Sequence, residues 1–101
     1  MLLGENMNEK LKNEETMLLF EAMLTLENTD ECINLFDDLC TIAEIKAMTQ
    51  RLSVALLLKS GMSYSDIAKQ TGASSATISR VNRCLNYGSN GYNTVIERLK
   101  K

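Results

Sequence analysis

The 101-residue sequence predicts an all-helical fold. Three observations carry that expectation. Proline is absent and there are only three tyrosines and two phenylalanines, while Leu, Met, Ala, Glu and Lys are plentiful. Apolar residues recur at three- and four-residue spacing in most segments. Capping residues and glycines punctuate those segments at helix-like intervals. The length suits one domain, expected over 9–101 after a frayed stretch at 1–8. A single chain of this size buries only about two-thirds of its unfolded surface, so a second copy would enlarge the core.

The first helix is expected from about Lys10 to Leu26. Within it, Met17–Leu26 is apolar at all but Glu21 and Thr25. A helix apolar nearly all round needs cover on nearly all sides, which a second copy supplies most simply. This predicts a homodimer. A central helix in a monomeric bundle is the competing arrangement.

Asn28 or Thr29 caps the next helix, with Asp30 and Glu31 favourably placed in its first turn. Cys32, Leu35, Phe36 and Leu39 form its apolar face. Thr41 and Glu44 have capping-box spacing and open a third helix running to about Ser60. Its expected core stripe is Ile42, Ile45, Met48, Leu52, Ala55 and Leu56, and Gly61 stops it. Ser63 caps the fourth helix, which ends near Thr71-Gly72. Ser74 caps the fifth, which ends near Tyr87-Gly88. After the turn Ser89-Asn90-Gly91, a last helix places Tyr92, Val95, Ile96 and Leu99 on one face.

Net charge is −2, but it is divided unevenly. Residues 1–40 hold ten acids against Lys10 and Lys12, a net of −8. Residues 41–101 hold nine bases against Glu44, Asp66 and Glu97, a net of +6. A basic half is what an electrostatic phosphate footprint requires. Cys32, Cys40 and Cys84 form no C-x-x-C pair and histidine is absent, so no metal or other cofactor site is expected. The odd cysteine count and the lack of a secretory signal fit a reducing cytoplasm. The longest apolar run, Val54–Leu58, is too short to span a membrane. Without a histidine, a nucleophile–base pair or a glycine-rich phosphate loop, an enzyme is not expected. The adjacent carboxylates Asp37 and Asp38 point about 100° apart on a helix and read as solvated surface.

Residues 63–87 carry the chemistry. Two short helices meet at a tight turn, the helix-turn-helix geometry. Ala68 is small enough for the steep crossing. Gly72 accepts a left-handed backbone. Ile67, Ile78 and Val81 face inward, with Leu85 extending that face. The opposite face of the fifth helix holds Ala76, Ser79, Arg80 and Arg83 and no acid. Small side chains permit close approach to a groove, and arginine pairs with guanine or phosphate. Ser74, Ser75 and Thr77 bring hydroxyls and free N–H groups to the helix start, where a phosphate could dock, and Lys69 precedes them. The expected partner is therefore double-stranded DNA. A helical hairpin that serves packing or protein contact alone would share the shape, although it has no need of Arg80 and Arg83 on an acid-free face.

The stretch LLKSGMSYSDIAKQTGASSATISRVNRCL, Leu57–Leu85, resembles the reading head of the tryptophan repressor family. The preceding AEIKAMTQRLSVALLL makes it similar to the YerC/YecD-type branch. The resemblance implies a six-helix fold and an intertwined homodimer. It also implies two reading heads in successive major grooves about 34 Å apart, a near-palindromic operator, and a transcriptional regulator of repressor type. It aligns the family's ligand-contacting positions with Gln50 (Arg51 lies one place off), Arg80 and Cys84. Arg80 keeps the family residue. Gln50 stands in place of an arginine, Cys84 in place of a serine, and Val81 where the tryptophan binder has glycine. A filled slot and a missing two-pronged carboxylate partner predict that tryptophan is not the co-repressor. Another small-molecule co-repressor, of unknown identity, stays open.

Overall fold

A computed structural model of the protein describes residues 7–100. Among them are seven helices and no strand: α1 (Met7–Lys10), α2 (Glu14–Met23), α3 (Thr29–Leu39), α4 (Ile42–Lys59), α5 (Tyr64–Thr71), α6 (Ser75–Tyr87) and α7 (Gly91–Leu99). They divide into two compact units, with the boundary between Thr41 and Ile42.

In the N-terminal unit, the helix expected over 10–26 is the shorter α2, Glu14–Met23, and the separate turn α1 ends at Lys10. The reason lies at Asn13, whose side-chain oxygen accepts the Thr16 N–H at 2.9 Å and caps α2. Its side-chain amide donates to the Lys10 carbonyl at 3.0 Å and closes off α1. An asparagine that serves both neighbours is an efficient helix breaker. Residues 1–6 of the stretch expected to fray lie outside the described residues, and Met7 and Asn8 belong to α1. At α3, Asn28 is the cap, accepting the Glu31 N–H at 2.9 Å, while Glu31 accepts the Glu27 N–H at 2.9 Å. None of the residues in α1, α2 or α3 is buried.

The C-terminal unit holds the core. Val54, Ala55, Ile67, Ala73, Ile78, Val81 and Ile96 are buried together, with Leu57, Leu58, Met62, Ala68, Leu85 and Tyr92 packed against them. The long helix α4 packs on α5, α6 and α7, and α6 packs on both α5 and α7. Of the stripe expected on α4, only Ala55 is buried; Ile42, Met48 and Leu56 are exposed. Val54, outside that stripe, is fully buried instead. The run Val54–Leu58 is apolar on every side, so spacing alone does not choose which side faces the neighbouring helices. On α7, Ile96 is buried and Tyr92 half-buried, whereas Val95 and Leu99 are exposed.

The helix ends follow local chemistry. Gly61 and Met62 donate to Leu58 and Leu57 carbonyls at 3.0 and 3.2 Å, a Schellman closure of α4. Gly88 ends α6, and a Cβ there would lie 2.5 Å from the Cys84 carbonyl oxygen, so any larger residue would push the chain away. Asn90 takes a left-handed conformation at φ 70°, which asparagine tolerates better than most residues. The Asn93 side-chain amide donates to both Leu85 O and Asn90 Oδ1 at 2.9 Å and ties α7 to the end of α6.

Candidate nucleic-acid interface

The candidate interface is built from α5, its turn and α6, and each junction has a local cause. Ser63 accepts the Asp66 N–H at 3.2 Å and starts α5. Gly72 ends it at φ 75°, in the left-handed region, with its N–H on the Ala68 carbonyl at 2.9 Å. Glycine enters that region without the steric cost other residues meet. Ser74 then accepts the Thr77 N–H at 3.1 Å and starts α6. Only two residues, Gly72 and Ala73, separate the last residue of α5 from that cap. Ile67, Ile78 and Val81 are buried beneath the turn and Ala68 is half-buried at the crossing.

Ala73 is also buried, at 5% exposure. No apolar spacing in the sequence marks it as a core residue. Its signal was weak, a lone alanine between a left-handed glycine and a capping serine.

The outward face of α6 is polar and open. Ser75, Ala76, Ser79, Arg80 and Arg83 are exposed, as are Ser74 and Lys69, while Thr77 is half-buried. No acid lies in α6. Among the described residues, Lys69, Arg80 and Arg83 take part in no ion pair. Three cations free of internal partners can meet an anion without first breaking a bond in the protein. Ser74 Oγ also donates to Thr77 Oγ1 at 3.1 Å, which leaves the Thr77 hydroxyl proton available to an outside acceptor.

The positions aligned with the family's ligand contacts are placed differently. Val81 is 1% exposed and packed into the core. Gln50 on α4 donates through Nε2 to the Thr71 carbonyl at 3.2 Å. It lines an open groove of about 570 Å³ between α4 and α5, together with Lys46, Thr49, Ser53, Leu57 and Thr71; Arg51, Arg80 and Cys84 do not line it. Arg51 and Arg80 are exposed and Cys84 is half-buried. The Gln50–Thr71 bond joins residues 21 apart in sequence, and no local pattern reports it. Among the described residues there is no group of three His, Cys, Asp or Glu side chains that could hold a metal, and no helix is long and apolar enough to cross a membrane.

An all-α chain with a capped helix-turn-helix and an acid-free cationic second helix belongs to a recognisable class, the helix-turn-helix proteins. The particular group follows from likeness to known proteins: the Trp repressor protein family model matches residues 14–100, and the chain belongs to that family. YerC of Bacillus subtilis (strain 168), a protein without a characterised function, is 50% identical over 93 residues, which are 92% of this chain and 89% of its own. A crystal structure of a Staphylococcus aureus protein provisionally described as a Trp repressor superposes with a TM-score of 0.90 at 46% identity, covering 95% of this chain and 96% of that one. A TrpR-like protein from Eubacterium eligens ATCC 27750 superposes with a TM-score of 0.88 at 53% identity, covering 92% and 96%. The expected all-helical, Trp-repressor-like fold is therefore the fold found, with seven helices among the described residues where six were expected.

Proposed function

We propose that the protein is a sequence-specific DNA-binding transcriptional regulator of repressor type, which occupies a near-palindromic operator as a homodimer and does so without tryptophan. The observation that carries this reading is the exposed, acid-free face of α6 with Arg80 and Arg83 unpaired upon it. Arg80 and Arg83 supply the strongest contacts, to guanine edges or phosphates. Ser74, Ser75, Ala76 and Ser79 are small enough to let the helix enter the major groove. Thr77 and Lys69 meet phosphate.

The dimer is supported by apolar surface that a single chain leaves in water. In α2, Met17, Leu18, Leu19 and Phe20 are all exposed, Leu18 at 67%. Exposed apolar residues clustered in this way mark protein interfaces. A two-fold pair of reading heads would present α6 twice to one face of the duplex. Independence from tryptophan is supported by Val81, which is packed in the core, and by Gln50, whose amide is already engaged by Thr71.

The test is selection of bound fragments from genomic DNA, followed by sequencing and titration at two salt concentrations. Enrichment of a near-palindrome, with affinity falling by about 0.9 log units per log unit of salt for each phosphate neutralised, is expected. No enriched sequence, with binding to a protein instead, would convert the reading into that of an interaction module. Calorimetry with free tryptophan is expected to show no heat of binding at micromolar concentrations, and a micromolar isotherm would refute independence from that ligand.

A further inference from the structure

We propose that Gln50 is a positioning residue for the reading head: its hydrogen bond to Thr71 sets how the turn, and with it α6, is presented from α4. The inference rests on the DNA-binding reading given above.

The last carbonyls of a helix have no partner within it. At the end of α5, Ala68 O takes the Gly72 N–H at 2.9 Å, and Ile67 O, one turn before the end, takes the Thr71 hydroxyl at 2.7 Å. The same Thr71 Oγ1 accepts the Ala73 N–H at 3.1 Å. Thr71 O takes Gln50 Nε2 at 3.2 Å, across from α4. A continuous path therefore runs from the core helix through Gln50 and Thr71 to Ala73, the residue before the Ser74 cap of α6. An amide N–H also suits the partial negative charge at a helix C-terminus.

Packing alone does not do this. Ile67, Ile78 and Val81 belong to the buried cluster that contains Val54 and Ala55 of α4. Apolar contact is non-directional and tolerates a slide or a small rotation. A hydrogen bond loses strength steeply with angle, so it selects one orientation from those that packing permits. The buried Ala73 and the left-handed Gly72 leave the two-residue turn little slack to absorb an error. An orientation error in α5 would therefore reach Arg80 and Arg83 as a displacement of the whole of α6.

The test uses the full chain and a labelled duplex drawn from the genomic fragments that the wild-type protein retains. Gln50→Met keeps the volume and removes the donor; Gln50→Glu keeps the shape and sets an acceptor against the carbonyl. We expect Gln50→Met to bind the duplex about 3- to 10-fold more weakly, the range of one neutral hydrogen bond, and Gln50→Glu to bind more weakly still. The salt slope of Gln50→Met should stay unchanged, since no charge is altered. In the free protein, amide exchange should quicken at Gly72 and Ala73 but not at Val54 and Ala55. Unchanged affinity and unchanged turn exchange in both variants would overturn the proposal. Weaker binding with unchanged turn exchange would overturn it too, because Gln50 would then act on the DNA and not on the turn. Faster exchange throughout, core included, would reduce Gln50 to a general stabilising residue and equally overturn it. Should the wild-type protein retain no fragment, the DNA reading fails, and the positioning role falls with it; the three results above instead leave wild-type binding intact.

Discussion

The apolar face of α2 in the N-terminal unit and the outer face of α6 in the C-terminal unit are opposite kinds of exposed surface. Through α1, α2 and α3 the chain buries no residue, and the unit leaves Leu18, Leu24 and Ile33 largely in water. From α4 to α7 it buries a compact apolar cluster and exposes, on α6, serine and arginine. An uncovered apolar helix lowers its free energy by meeting another protein surface, and an uncovered row of cations by meeting a polyanion. The charges divide in the same sense, with ten acids in residues 1–40 and nine bases in residues 41–101. Under the proposed DNA-binding function, acids at 1–40 disfavour phosphate contact there and the basic unit is the one suited to it.

Five substitutions would break or sharpen this contrast. The largest effect is expected from Ile67→Ala, which opens a cavity at a fully buried position of the C-terminal unit. Urea denaturation should show a loss of about 2–5 kcal/mol; a loss below 1 would mean that α5 does not rest on the core described. Next comes Leu18→Asp in α2. If that face is covered by a second copy, sedimentation should show the dimer weakened by at least about 2 kcal/mol, whereas an unaltered dimer would place the interface elsewhere. Arg80→Ala and Arg83→Ala address the other unit: each should lower operator affinity by about 1–3 kcal/mol and leave the sedimentation profile unchanged. An equal affinity for either variant would remove that arginine from the interface. The smallest effect is expected from Ser74→Ala, which removes the cap of α6 and should cost about 1 kcal/mol of stability, read as a lower thermal midpoint.

The ends of the helices were the most readable part of the sequence. Ser63, Gly72 and Ser74 each act where the pattern puts them, because capping is a matter of one side chain and the amides two or three residues on. The break at Asn13 obeys the same chemistry, yet the apolar run that follows conceals it, since periodicity is insensitive to a single polar residue at its edge. The core of α4 was less readable for a different reason. Val54 through Leu58 would suit any neighbour, so choosing Val54 over Leu56 requires knowing where α5, α6 and α7 lie. On α6 the two faces were told apart correctly, because Ile78 and Val81 differ from Arg80 and Arg83 in kind and not only in position.

The sequence by itself determined the helical class, the capped helix-turn-helix and the cationic outer face of its second helix. Those properties depend on spacing, on turn chemistry and on residue type, all of which are local. Only the tertiary structure decided that Val54 and Ala73 are core residues, and that the Gln50 amide reaches the Thr71 carbonyl 21 residues away. Each of these depends on which side of one helix meets another, and that is settled by packing in three dimensions.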